Sequence, residues 1–352
     1  MNQRLVFAIV GLLLLTPFAL AEYGNETDRD FEINMTRLFI DGKNVTDEEA
    51  TKLEAHLQET PDDLEARTRL IGHYANKMRP EGGDDQLRHV LWIVNNQPKN
   101  CAFLVCKIDF LLQPDNAQKL IDAWHQQLEQ SPEDTRLLYR ASNSARTADE
   151  PYTWDLLRRG SELEPDNPYW PRTLAHGLGL SARRDDEVHK TALREEAYAL
   201  WLEAHDKTSE SDRAKLYFRI AQSAFEASEV PAAEEWARKA IDQFTNPESV
   251  HVGNQVLGNI ALRKQKVDEA EKFLLASADV KGGRRGASFW PEMDLAQQLL
   301  TLDRHDAVAK YLDSGSEVWK RFSERLECLS DSVSNGESPE LDLIPNRNLS
   351  AN

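Results

Sequence analysis

The chain has 352 residues, a formal net charge of −18, 40% hydrophobic residues and three cysteines. So acidic a chain is repelled by nucleic-acid phosphates and by anionic membrane surfaces, which both need clustered Lys and Arg. Three cysteines are too few for a disulfide-built scaffold.

Residues 1–21 differ from everything after them. Arg4 is the only charge before Glu22, an apolar run follows from Leu5 to Leu15, and Ala19-Leu20-Ala21 supplies an A-x-A site. This is the pattern of a secretory signal peptide, with a run too short for the roughly 20 residues of a membrane span. The expectation is a cleaved leader, a mature chain from Glu22 working outside the cytoplasm, and no membrane insertion after cleavage. Residues 22–46 are polar, carry Asp41-Gly42, and read as an extended lead-in. Three sequons start there, at Asn25, Asn34 and Asn44, and a fourth at Asn348; they are glycosylation sites only in a eukaryotic secretory route.

From residue 47 the pattern is one of paired amphipathic helices. Asp47 reads as an N-cap for a helix through Leu57, and Pro61 opens a second helix with Leu64, Leu70, Ile71 and Tyr74 on one side. Residues 79–83 (RPEGG) read as a break, and Leu87 to Val94 as the next stripe. Further pairs are expected at Phe103–Leu112 with Leu120–Leu128, Leu137–Ala145 with Trp154–Leu163, and Trp170–Leu180 with Ala192–Ala204. After these come Ala214–Ala227 with Ala232–Phe244, Val250–Leu262 with Val267–Ala278, and Met293–Leu302 with a helix from Ala307. Ser181–His189 reads as an inserted loop and Lys281–Gly286 as a connector. A last helix through Trp319 and Phe322 to Leu329 caps the series, and residues 332–352 read as a disordered tail.

Cys101 and Cys106 bracket an apolar stretch. In one helix they would point about 140° apart and not bridge. A bridge becomes possible if Cys101 precedes the helix; the expectation taken is two buried thiols.

The prolines Pro98, Pro132 and Pro165 recur at 34 and 33 residues. In the best copy, Leu257, Gly258 and Ala261 place large, small and small residues on one helix face, followed by Ala270, Leu274 and Ser277 on the next helix. Another copy has Tyr217, Ala221 and Ala224, then Ala233, Ala237 and Ala240; a partial one has Leu137, Ala141, Leu157 and Gly160. Small residues at such positions let two helices approach closely. Period and pattern together resemble the tetratricopeptide repeat over about residues 60–325. The resemblance, which extends in style to exported bacterial tetratricopeptide proteins of undefined activity, implies an all-α, right-handed α-solenoid. It implies about seven helix pairs and a C-terminal capping helix over residues 47–331.

It also implies a function: a scaffold that binds a protein or peptide partner in a concave groove lined by first helices. Carried over position by position, the groove residues are Arg146, Gln222, Gln255, Asn259, Arg263 and Gln297. Amides and guanidiniums suit an extended peptide backbone and its carboxylates.

Catalytic patterns are missing from the sequence. There is no HExxH, no GxSxG and no metal-spaced Cys/His set, and 282–286 (GGRRG) lacks the Gly-Lys-Ser/Thr end of a phosphate loop. No cofactor, metal or enzymatic activity is therefore expected. The alternatives are an enzyme with its site in 181–189 or 281–290, and a self-assembling envelope component. Trp124, Trp201 and Trp236 fit gap-filling core positions, and Trp290 an exposed aromatic contact.

Overall fold

The computed structural model describes residues 26–76, 80–102, 114–146, 149–184, 187–243, 246–280, 289, 291–341 and 343. Every regular element among them is helical. No helix among them is long and apolar enough to cross a membrane. The leader, the Phe103–Leu112 stripe, Cys106, the Asn25 and Asn348 sequons, Trp290, Asp185 and Asp186, and most of 281–290 lie outside the described residues. Packing divides the chain into one unit ending at Leu174 and a second starting at Ala175.

In the first unit, α1 (Glu26–Gly42) takes the place of the expected extended lead-in. Met35 and Leu38 are buried, and α1 packs on α3 (Leu64–Asn76). Two glycines allow this contact. A Cβ on Gly72 would sit 2.1 Å from the Phe39 carbonyl oxygen, and one on Gly42 would sit 2.3 Å from that of Arg69. Helix α2 (Asp47–Glu59) starts one residue earlier than the Asp47 cap implies. Thr46 is the N-cap, in a capping box with Glu49. Helix α4 (Pro80–Asn96) includes Gly82 and Gly83, so the expected break is shorter than the sequence suggests.

A 3-10 turn, Pro98–Asn100, leads to Cys101, which is buried and disulfide-bonded rather than a free thiol. Cys101 is not helical, the condition under which a bridge is possible. Helix α5 (Pro114–Gln130) begins on its proline as expected. Helix α6 (Thr135–Ala145) is capped by Asp134 and α7 (Glu150–Leu163) by Asp149. The Trp170 ring on α8 (Tyr169–Ala182) lies against Gly160, where a Cβ would come within 2.4 Å. This is the physical reason for the small residue in that repeat copy. Across the unit, Glu32 of α1 and Arg140 of α6 form a buried ion pair, and Arg140 Nε also donates to the Lys99 carbonyl at 3.2 Å.

The second unit takes up the end of α8, then α9 (Glu187–Lys207), which begins five residues before the expected Ala192 and absorbs the end of the supposed insertion. A short helix, α10 (Glu210–Arg213), precedes α11 (Tyr217–Glu226) and α12 (Val230–Gln243). Next come α13 (Pro247–Arg263), α14 (Val267–Ala278), α15 (Asp294–Leu300) and α16 (His305–Val318). The expected capping helix does not run through Trp319. That residue ends α16 and is buried, and α17 (Ser323–Ser334) starts after a 3-10 turn.

Each helix packs on its successor in α11–α12, α12–α13, α13–α14 and α15–α16, and α11 also touches α13, as α13 does α15. The small residue Gly258 has its reason here too: a Cβ would lie 2.3 Å from Leu295 of α15.

One turn joins three of these pairs. Ser228, Gln265 and Asp303 all have positive φ, at 64°, 59° and 58°. In each, the next N–H bonds five residues back, to Ala224, Ala261 and Leu299 respectively, and the residue's own N–H bonds three back. This is the Schellman arrangement, whose left-handed position favours glycine. Replacing all three with glycine should stabilise the unit by about 0.5–1 kcal/mol at each site. A melting temperature that does not rise in the triple variant would contradict this.

Candidate functional site

The groove candidates do not share one environment. Arg146 is half-buried at the C-terminal cap of α6 in the first unit; the other five lie in the second. Gln255 is not a groove residue. It is buried, and its Nε2 donates to Ser277 Oγ of α14 at 2.9 Å. Helix α13 is covered on most of its circumference, from His251 through Ala261, so positions left over from the core pattern are not all exposed.

Asn259, Arg263 and Gln222 stay accessible. Asn259 Oδ1 accepts from Gln298 Nε2 at 2.8 Å, linking α13 to α15, while its Nδ2 donates to the Gln255 carbonyl. Arg263 is exposed and its guanidinium carbon lies over the Phe225 ring of α11, 3.9 Å from the centroid. Gln222, on α11, is half-buried. Helices α11, α13 and α15 thus carry a row of amide and guanidinium groups, with side-chain contacts from Arg263 to Phe225 and from Asn259 to Gln298. Phe225 and Gln298, which the sequence reading missed, complete it. Beside the row, Glu226 of α11 accepts from Arg183 at 3.1 Å, and burial raises its pKa against the pull of that guanidinium.

Gln297 is already engaged. Its Oε1 accepts from the Leu341 N–H at 2.8 Å, and its Nε2 donates to the Pro339 carbonyl at 3.4 Å. The stretch to Leu341 is therefore not a loose tail: α17 takes its first residues, and Leu341 is buried.

The first unit holds a second polar cluster that the sequence did not single out. Glu54 of α2 accepts from Tyr74 (2.8 Å), Arg88 (2.8 Å) and His89 (2.9 Å). Burial would raise its pKa, yet these donors outweigh it and hold it at about 2. His89 is fully buried, which lowers its pKa despite Glu54. Arg67 contacts His89 Nδ1 at 3.3 Å and stacks on Trp92. An open groove of about 440 Å³ adjoins the cluster, lined by Leu87, Arg88, Leu91, Trp92 and Lys119 among others. The perturbed groups satisfy one another across α2, α3 and α4, which assigns them to holding those helices together.

For the enzyme alternative, His189 is exposed at the start of α9, and no group of three His, Cys, Asp or Glu among the described residues is placed to hold a metal ion. A scan against protein-family models finds no match to this chain. A search of curated proteins finds no significant relative.

Proposed function

We propose that the chain is an exported scaffold built of tetratricopeptide-like helix pairs in a solenoid. It binds an extended protein or peptide segment along the row formed by α11, α13 and α15. The observation that carries this reading is the row itself: accessible Gln222, Asn259, Arg263 and Gln298 lie on three helices in lateral contact, with Asn259 bonded to Gln298 and Arg263 over Phe225. The contact order of α11 to α16 and the turns at residues 228, 265 and 303 support the helix-pair reading. The leader pattern and the disulfide at Cys101 support export to an oxidising compartment.

The test is photo-cross-linking from position 222 in the native envelope, read by mass spectrometry. The double variant Asn259→Ala, Arg263→Ala should keep its helical signal and bind its partner roughly thirtyfold more weakly, since two contacts of about 1 kcal/mol are removed. Unchanged recovery would remove the row from the binding surface.

A further inference from the structure

The Schellman turn of residues 228, 265 and 303 occurs a fourth time, at the end of α17. Gly336 has φ 81°, Glu337 N–H donates to the Ser332 carbonyl, and Gly336 N–H donates to that of Val333. The first three turns lead at once into α12, α14 and α16. The fourth leads into Glu337–Leu341, which is not helical. Its main chain instead bonds to the Gln297 carboxamide at the Pro339 carbonyl and the Leu341 N–H. In an extended chain these two groups lie on the same edge, so Gln297 stands in for a neighbouring strand. Leu341 is buried in the α14–α17 core, with Leu343 half-buried against it. Ser338 Oγ meets His305 Nε2 at 3.1 Å on the surface.

We propose that residues 338–341, together with Leu343, are an internal occupant of a peptide site on α15 and α16. The site accepts in trans an extended partner segment of the same pattern, a proline followed by two leucines one residue apart. The proposal rests on the reading that the second unit binds extended segments, and it names their chemistry. The main-chain bonds to Gln297 are indifferent to sequence, and the leucines supply the selectivity. Among its described residues the occupant has one buried side chain, Leu341, and no bonds of regular secondary structure, against the entropy of ordering the whole segment, which makes it exchangeable. The tether holds it in place by giving it an effective concentration of roughly millimolar.

The test uses the full chain and a fluorescent synthetic peptide, Glu-Ser-Pro-Glu-Leu-Asp-Leu, followed by anisotropy. Against that tether, the unaltered chain should show no saturable binding up to about 0.1 mM. The variant Leu341→Ser should bind the peptide at least tenfold more tightly. Adding Gln297→Ala to it, or replacing both peptide leucines with serine, should abolish the gain. Gly336→Val, whose side chain meets open space but cannot easily take the left-handed turn, releases the segment by a second route and should give the same gain. If folded Leu341→Ser and Gly336→Val chains both fail to bind, or if binding ignores Gln297→Ala, the segment is a fixed part of the fold and the proposal fails. Such a failure, with capture through Asn259 and Arg263 intact, removes this site alone. Loss of that capture with peptide binding intact removes the wider row and keeps this site.

Discussion

Replacing Glu32 with alanine should destabilise the first unit by about 3–5 kcal/mol, because it removes the carboxylate that is paired with the buried Arg140 guanidinium. Both side chains are almost wholly buried, so water cannot take over for the lost carboxylate. The Lys99 carbonyl accepts from Nε and carries no charge to take the carboxylate's place. Desolvating two charges costs nearly as much as their attraction returns, so removing both should be far milder than removing one. The double variant Glu32→Met, Arg140→Met is therefore expected near the stability of the unaltered chain. Urea denaturation, read with amide exchange at α1 and α6, checks this. A Glu32→Ala loss below about 1 kcal/mol, or a double variant worse than either single one, would overturn the argument.

That ion pair sits on the helix least legible in the sequence. Residues 26–42 carry charges and end in a turn-forming pair, which favours an extended reading. The signal lay in Phe31, Met35, Leu38 and Gly42, spaced as one helical face, but Ile33 and Ile40 are exposed and blur the stripe. The pairs α11–α12 and α13–α14 were legible because small residues recur where backbones meet, and each has an identifiable neighbour, as Gly258 has Leu295. The site was only partly legible. Positions carried over from a resemblance locate a helix face relative to its own pair, and Asn259 and Arg263, chosen in that way, are accessible. They cannot register how far a neighbouring helix or returning segment covers that face, which is why Gln255 is buried and Gln297 engaged. The polar stretch after Gly336 reads as disordered by composition, and only Leu341 and Leu343, one residue apart, hinted at a packed edge.

The second unit should lose stability on mild acidification through one histidine. His251 of α13 is fully buried; its Nδ1 lies 2.8 Å from the Ser277 carbonyl, and its Nε2 is 2.9 Å from the Glu292 N–H. A carbonyl only accepts, so Nδ1 carries the proton and Nε2 must be the bare acceptor. Tyr311 Oη donates to the Glu292 carbonyl at 2.8 Å, so His251 and Tyr311 together fix the approach to α15. Protonating Nε2 would set two N–H donors against each other, with Phe289 and Trp319 packed around the ring. Burial accordingly lowers the pKa from 6.5 to about 4, against the pull of the Ser277 carbonyl. Between these values the unfolded chain binds the proton and the folded one does not, so stability rises with pH. The contribution is complete above about pH 6.5 and lost as pH falls towards 4, for a total of about 3 kcal/mol. At pH 5, where most carboxylates are still ionised, about 2 kcal/mol should already be gone. His251→Gln cannot take up the proton and should lack this part of the slope between pH 7 and 5. Urea denaturation at both pH values measures the difference, and identical slopes in the two chains would show that His251 does not link folding of this unit to pH.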